Sequence, residues 1–135
     1  MRLLICAGRY YADNSECRQV LDVFHRIHPV TVLIHGGNQF LGAGIEEWAR
    51  EHDANIVRYP PNWQRHGKLA ERLRNHFMLG DSQPDLVIAL PGGEDTEELI
   101  AQARSAGLQT LSIEDKGEHA AVLREKSGGN GHVKT

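Results

Sequence analysis

Residues 85–96, with the sequence DLVIALPGGEDT, decide the fold of this chain. An apolar run at residues 86–90 stops at Pro91-Gly92-Gly93 and leads directly into an acidic segment typical of a helix N-terminus. A continuous apolar run of this length predicts a strand that is buried on both faces, as in a parallel sheet. The two glycines remove Cβ atoms that would block a ligand, and the N–H groups of the helix's first turn favour a phosphate. The segment therefore predicts a strand, a glycine turn and a helix that together can bind phosphate.

A second copy of this arrangement lies upstream. Residues 30–34 form an apolar, β-branched run that ends at a Gly-Gly pair, and residues 3–7 form an apolar run that also ends at a glycine. Because the carboxyl ends of parallel strands meet at one edge of a sheet, we expect these turns to converge on a site for a phosphorylated small molecule. The residues that this pattern predicts as ligand-binding are Gly8, Arg9, Gly36, Gly37, Asn38, Pro91, Gly92, Gly93, Asp95 and Thr96.

Length and composition predict a single domain. With 135 residues, of which 40% are apolar, the chain is long enough for one substantial core and too short for two. The domain is predicted to span residues 1–114, with a possible helix at residues 115–126. Residues 127–135 are polar and glycine-rich, and we expect a disordered tail there.

Charge, hydropathy and cysteine usage restrict the protein class. The net charge of −3 and the pI near 6.2 disfavour nonspecific binding to duplexes and adsorption to anionic membranes. No apolar stretch is long enough to span a bilayer, and the first strand begins without a signal-peptide pattern, so we expect a cytoplasmic protein. Cys6 and Cys17 fall in separate apolar settings and are expected to be buried thiols.

Strand and helix signals alternate along the chain. The segment Asp13-Asn14-Ser15-Glu16 has the pattern of a capping box, and Pro29 ends the helix that follows. Strands joined by helices predict a parallel sheet with right-handed crossovers. The chain is therefore predicted to be a single-domain α/β protein, a Rossmann-like three-layer sandwich with a mostly parallel sheet of about five strands. The predicted strands span residues 3–7, 30–34, 56–59, 86–90 and 108–113, and the predicted helices run from the capping box to residue 27 and over residues 38–52, 63–79 and 96–106.

The apolar stripes of the predicted helices define the expected core. In the helix over residues 63–79, Leu69, Leu73 and Phe77 are spaced i, i+4, i+8, so their side chains are expected to face the sheet. Gly107 is suited to the left-handed position that ends the last helix. The stripes of the first and last helices consist of Cys17, Val20, Leu21, Phe24, Ile27, Leu99, Ile100 and Ala103.

Several short motifs follow one another in a fixed order between residues 3 and 113. They are Cys6-Ala7-Gly8-Arg9, Leu33-Ile34-His35-Gly36-Gly37, Trp48-Ala49, Asn62-Trp63-Gln64-Arg65-His66-Gly67-Lys68, Arg74-Asn75 and Pro91-Gly92-Gly93. In this order the chain resembles the YspA-like, YpsA-related branch of the SLOG superfamily. The resemblance implies a Rossmann-like protein that binds a nucleotide or a nucleotide-derived ligand such as NAD or ADP-ribose, with no required cofactor. It adds Trp63, Arg74 and Asn75 to the predicted ligand-binding residues.

A local resemblance to a related family bears on whether the protein is a hydrolase. Residues 74–78 and 86–99 resemble the motifs of the LOG family of cytokinin-activating phosphoribohydrolases. Asn75 replaces the family's lysine, Asp95 replaces a glycine, and Leu99 stands where the family's motif has a glutamate. Because leucine cannot act as an acid or base, the resemblance does not support glycosidic hydrolysis. The chain also departs from the YspA-like pattern after the first strand, where Tyr10 replaces the usual aspartate.

Four predicted site residues have structural alternatives. Arg74 has a planar guanidinium fork, and the resemblance places it beside the PGG turn, so we predict a phosphate or carboxylate clamp. A solvated surface cation is the alternative for Arg74 and for Arg9. Packing under the bend at residues 60–61 is favoured for Trp63 over stacking on a base, and His35 is expected to be structural rather than a general base.

The remaining polar clusters favour simple interpretations. Asp95 and Glu98 are expected to form a capping box, although both stay candidates for a catalytic acid. His25 and His28 are spaced i, i+3 without a third ligand nearby, so no metal site is predicted. The basic stretch is expected to be a solvated helix face, and a nucleic-acid role stays open because the SLOG superfamily includes proteins that bind single-stranded DNA. It consists of Arg65, His66, Lys68, Arg72 and Arg74.

Three functions therefore compete. The first is a sensor or regulatory module that binds a nucleotide-derived ligand at the glycine turns, and the residue at position 99 favours it. The second is an enzyme that cleaves an N-glycosidic or phosphate bond, with Arg74 as clamp and an acid from Asp95, Glu97 or Glu98. The third is an interaction domain with no ligand. The sequence leaves the base, the number of phosphates and the oligomeric state open, with a homo-oligomer as one possibility.

Overall fold

A five-stranded, all-parallel sheet with the strand order β3-β2-β1-β4-β5 forms the centre of the protein. The structure is a computed structural model that describes residues 1–113. Helices connect the strands, so the predicted α/β Rossmann-like fold is confirmed. The strands are β1 Arg2–Cys6, β2 Val32–His35, β3 Asn55–Arg58, β4 Leu86–Ala89 and β5 Thr110–Ser112. The helices are α1 Asn14–Ile27, α2 Gly42–Glu51, α3 Trp63–His66, α4 Ala70–Ser82 and α5 Glu94–Ser105, with a 3₁₀ turn at Gly67–Leu69.

Both faces of the sheet are buried. In β1, Leu3 and Ile5 belong to one apolar cluster together with side chains of α1 and α2. Leu4, which points to the opposite face because strand side chains alternate, belongs to a second cluster with side chains of α4 and α5. The sheet is therefore the middle of three layers, as the continuous apolar runs predict.

The first helix begins where the capping pattern predicts. The Asp13 side chain accepts a hydrogen bond from the Glu16 N–H at 2.9 Å, while the Glu16 carboxylate is hydrogen-bonded by the Tyr11 hydroxyl. The predicted apolar stripe is one residue too long, because Ile27 is 48% exposed at the last turn. Gly107 has φ +77°, which fits its predicted role after the last helix.

The predicted helix over residues 63–79 is wrong in its continuity and in its buried face. Gly67 has φ +51°, which a right-handed helix cannot contain, so the segment divides into α3, the 3₁₀ turn and α4. Leu69, Leu73 and Phe77 are 54%, 43% and 62% exposed. The buried residues of α4 are instead Ala70, Asn75, Met78, Leu79 and Ser82, of which Met78 and Leu79 pack in the cluster with strand side chains.

Two predicted helix starts are also corrected. The helix after the Gly36-Gly37 pair begins only at Gly42, because the Asn38 side chain accepts hydrogen bonds from the Phe40 and Leu41 N–H groups and forms a turn before α2. The capping box at Asp95 and Glu98 is wrong, because Gly93 takes the cap position of α5 and both acidic residues lie within the helix.

The predicted helix at residues 115–126 and the predicted tail at residues 127–135 lie outside the described residues. None of the helices within residues 1–113 is long and apolar enough to cross a bilayer.

Candidate functional site

A cavity of about 190 Å³ lies at the carboxyl ends of β1 and β2, under the start of α2 and beside α3 and α4. Seven of the thirteen predicted ligand-binding residues line it. The loops that follow β1 and β2, together with α2, α3 and α4, surround the strand ends at this edge of the sheet. The seven residues are Arg9, Gly36, Gly37, Asn38, Trp63, Arg74 and Asn75.

The PGG turn does not line this cavity. The Gly8 N–H donates a hydrogen bond to the Pro91 carbonyl at 2.9 Å, and a Cβ on Gly8 would lie 2.6 Å from the Gly92 Cα. A Cβ on Gly92 would in turn lie 2.1 Å from the Oγ1 of buried Thr96. Gly8 and Gly92 therefore allow the loops after β1 and β4, the two strands at which the strand order reverses, to pack against each other.

The charge at α5 also disfavours a phosphate there. Its first turn carries Glu94, Asp95 and Glu97. These carboxylates complement the positive end of the helix dipole and repel a phosphate at the same place. Of the two predicted glycine turns, only Gly36-Gly37 reaches the cavity.

Arg74 anchors the Gly36-Gly37 turn instead of lying beside the PGG turn. Its Nη1 donates hydrogen bonds to the Gly36 carbonyl at 2.6 Å and to the Tyr59 carbonyl at 3.0 Å, and its Nε donates to the Asn75 side chain at 2.7 Å. A Cβ on Gly36 would lie 2.2 Å from Arg74 Nη1, so this glycine makes room for the guanidinium. The side chain is 14% exposed, and its burial lowers the guanidinium pKa. Arg74 is thus a structural crosslink as well as a cation in the cavity.

A buried polar network holds the other side of the same turn. Gly37 has φ +79°, and its N–H donates to His35 Nδ1 at 3.1 Å. His35 Nε2 then carries the proton and donates to a Glu46 carboxylate oxygen at 2.8 Å. Arg58 Nε and Nη2 donate to Glu46 at 2.6 and 2.7 Å. His35 is structural, as predicted, whereas no sequence signal identified Glu46 and Arg58.

This network makes the stability of the fold dependent on pH. Burial lowers the pKa of His35 below its usual value of 6.5, although Glu46 opposes this shift. Because the pKa of His35 is lower in the folded state, the unfolded chain binds the proton more readily. The contribution of His35 to the free energy of unfolding is therefore fully present above about pH 6.5 and is lost as the pH falls. We expect the urea midpoint to decline from about pH 7 towards pH 5 in the wild type, and to decline less in His35→Asn, which still offers Gly37 an acceptor. Parallel pH profiles for the two proteins would contradict this assignment.

Arg9, Trp63 and Glu71 form the mouth of the cavity. Arg9 Nη2 lies 2.5 Å from Glu71 Oε1 and 3.6 Å from Asp95 Oδ2, and the Arg9 guanidinium lies 5.1 Å from the centroid of the Trp63 ring. Trp63 is 45% exposed, so the predicted packing under the proline bend does not bury it. Glu71 is absent from the sequence-based predictions, although its i, i+3 spacing from Arg74 places both on one helix face. Asp95 is at the mouth through its contact with Arg9, rather than in the cavity.

The thiol in the cavity is partly buried and hydrogen-bonded. Cys6 lines the cavity at the end of β1, and its Sγ donates to the Ile88 carbonyl at 3.6 Å. Burial raises the pKa of Cys6 to about 12, and Arg74 only partly offsets this effect. The reactive thiolate is therefore scarce at neutral pH.

Other polar residues from the sequence analysis have structural partners. His25 Nδ1 accepts a hydrogen bond from the Val30 N–H at 3.0 Å, and its ring packs against Trp48 and His52. Within residues 1–113, no group of three or more His, Cys, Asp and Glu side chains is arranged to hold a metal ion. The basic stretch is divided, because Arg72 pairs with Glu98 at 2.6 Å whereas Arg74 lies in the cavity.

The comparisons with known proteins agree with the resemblance read from the motifs. Residues 1–66 match the family YAcAr, described as the YspA, cpYpsA-related SLOG family. No curated protein and no solved structure matches the chain. The matched part runs from β1 to α3 and includes the Gly36-Gly37 turn and Trp63. Residues 1–66 are thus similar to the YspA, cpYpsA-related SLOG family.

Proposed function

We propose that the protein binds a nucleotide or a nucleotide-derived ligand such as NAD or ADP-ribose, and that it acts as a sensor or regulatory module. The observation that carries this proposal is the convergence of two guanidinium groups, a glycine turn and an indole ring on one cavity. Guanidinium groups pair with phosphates through two parallel hydrogen bonds, and a glycine turn lets a phosphate approach the backbone. The similarity of residues 1–66 to a SLOG family is consistent with a nucleotide-related function.

The size of the cavity limits how much of such a ligand can be enclosed. Pockets that hold whole drug-sized ligands have volumes of roughly 300–1,000 Å³. A cavity of about 190 Å³ fits one end of a dinucleotide, such as a sugar phosphate or a single base. The rest of the ligand would extend through the mouth, where the exposed face of Trp63 offers a surface on which a base can stack.

A binding role is favoured over the enzyme alternative. Glu98 pairs with Arg72 away from the cavity, Glu97 does not line it, and the Cys6 thiol is protonated. Leu99 is 2% exposed in the core. The enzyme alternative therefore depends on Asp95 at the mouth and on Glu71. The proposal assigns the protein to the cytoplasm, where free thiols such as those of this chain persist.

Thermal unfolding with a small panel of ligands tests the proposal. NAD, ADP-ribose or AMP is expected to stabilise the folded state by about 2.7 kcal/mol at a hundredfold excess over its Kd. For a domain of this size, that corresponds to a rise in Tm of roughly 8–12 °C. Adenosine, which has no phosphate for the arginines, is the control and should give a much smaller shift. An unchanged Tm with every member of the panel at millimolar concentration would contradict the proposed function.

A further inference from the structure

Glu71 occupies the space between the two guanidinium groups of the cavity. Its Oε1 lies 2.5 Å from Arg9 Nη2, and its Oε2 lies 3.9 Å from Arg74 Nη2. The Glu71 side chain is only 15% exposed and lines the cavity wall. A carboxylate of this chain therefore lies where an anion would contact both arginines.

The hydrogen bonds of Arg74 leave one of its nitrogens, Nη2, available to a ligand in the cavity. Its Nη1 and Nε are already committed to the Gly36 and Tyr59 carbonyls and to the Asn75 side chain. Nη2 is the nitrogen that faces Glu71, and at 3.9 Å it is beyond hydrogen-bond distance from the carboxylate. A phosphate oxygen that uses Arg74 must approach Nη2 and therefore come close to Glu71.

We propose that Glu71 is an internal counter-anion of this cavity, and that a phosphate-bearing ligand binds between Arg9 and Arg74 with uptake of a proton by Glu71. This inference rests on the proposed function and specifies how binding at that site is regulated. Two anions in one partly desolvated cavity repel each other, whereas a protonated Glu71 can donate a hydrogen bond to the phosphate. Binding and protonation are then thermodynamically linked.

Burial and a neighbouring carboxylate favour protonation of Glu71, although two arginines face it. Burial and the Asp95 carboxylate of α5 raise the pKa of Glu71, and Arg9, from the loop after β1, opposes this rise. Arg74, on the same helix, is the other cation that faces it. Cys6 does not titrate near neutral pH, because burial raises its pKa to about 12. A bound phosphate adds another negative charge beside Glu71, so ligand affinity is expected to fall as the pH rises.

Calorimetry with ADP-ribose tests the inference. The two phosphates of this ligand are joined in a pyrophosphate diester and do not titrate near neutral pH, so proton uptake on binding reports on groups of the protein. Titrations in two buffers with different ionisation enthalpies measure the protons taken up by the complex. For the wild type we expect net proton uptake, up to one proton per ligand, and weaker binding as the pH rises.

Glu71→Gln removes the charge and keeps the shape. We expect it to bind ADP-ribose at least about tenfold more tightly than the wild type at high pH, because the like-charge repulsion is gone. Its affinity should depend less on pH than that of the wild type, and its proton uptake should be smaller. Glu98→Gln is the matched control, since it neutralises a carboxylate that pairs with Arg72 outside the cavity, and it should behave as the wild type.

The possible outcomes separate the two proposals. If the wild type binds ADP-ribose with an affinity that does not depend on pH, and without proton uptake, the role of Glu71 is overturned and the proposed function is left intact. This measurement does not require the variant to fold. Weaker binding by folded Glu71→Gln would also overturn that role, because a carboxylate that accepts hydrogen bonds from ribose hydroxyls behaves in that way. Absence of ADP-ribose binding at every pH would contradict the proposed function and this inference together.

Discussion

Replacement of Gly92 by alanine is expected to lower the free energy of unfolding by about 1–3 kcal/mol, the usual cost of adding a methyl group to a closely packed place. The new Cβ would lie 2.7 Å from the Gly8 backbone nitrogen and 2.1 Å from Thr96 Oγ1. The threonine can rotate, but the Gly8 nitrogen belongs to a backbone that also donates to the Pro91 carbonyl. The loops after β1 and β4 would have to separate. Urea denaturation followed by circular dichroism measures the loss.

Gly80→Ala is the matched control for this substitution. A Cβ on Gly80 meets nothing within 4 Å, and the residue lies within α4 on its exposed side. Alanine should therefore stabilise the protein by roughly 0.5–1 kcal/mol through helix propensity. If Gly92→Ala proved as stable as Gly80→Ala, the two loops would be open enough for the PGG turn to accept a ligand, contrary to its role in packing.

The architecture could be predicted because the physical causes are local. A parallel sheet that is covered on both faces requires continuous apolar runs, and residues 86–90 show this pattern without interruption. The first helix could be located because Asp13 caps it through a side chain three residues before Glu16. These signals depend on neighbours in sequence, so no knowledge of the tertiary structure is needed to interpret them.

The roles of the two glycine turns could not be distinguished from the sequence. Both have glycines directly after a buried strand, and their local patterns are nearly the same. Their tertiary neighbours decide the difference, because Gly92 lies against Gly8 whereas Gly36 lies against Arg74. Such contacts join residues more than thirty positions apart, and motif analysis contains no information about them.

The orientation of α4 was mispredicted for a related reason. In the sequence, the apolar stripe that includes Leu73 and Phe77 has helical spacing and is the natural choice for a core. The structure instead turns a mixed stripe inward, with Arg74 and Asn75 among its members. Burial of polar side chains in place of apolar ones is a departure from patterning that is expected at functional sites. Glu71 was missed because it belongs to this polar stripe.

Leu99 is the position that bears most directly on catalysis, because the LOG-family motif that residues 86–99 resemble has a glutamate there. Its side chain is 2% exposed and packs with Leu4, Met78 and Val87 in the core beneath α4 and α5, so it does not reach the cavity. We expect Leu99→Glu to lower the free energy of unfolding by about 3–5 kcal/mol, because the carboxylate would be buried without a partner. Leu99→Met, which conserves volume, should cost less than about 1.5 kcal/mol.

A hydrolysis assay on the wild type, on Leu99→Glu and on variants of the carboxyl groups at the cavity decides between the sensor and the enzyme. With AMP as substrate, the wild type and folded Leu99→Glu are both expected to release no adenine or ribose 5-phosphate above a buffer blank, because position 99 faces the core and not the ligand. Hydrolysis gained by Leu99→Glu would show that α5 presents this position to the ligand. Turnover by the wild type that disappears in Asp95→Asn or in Glu71→Gln would replace the sensor with an enzyme, since these are the carboxyl groups at the mouth of the cavity. The absence of turnover together with binding of ADP-ribose would mean that the arginines and the glycine turn hold a ligand without an acid placed to cleave it.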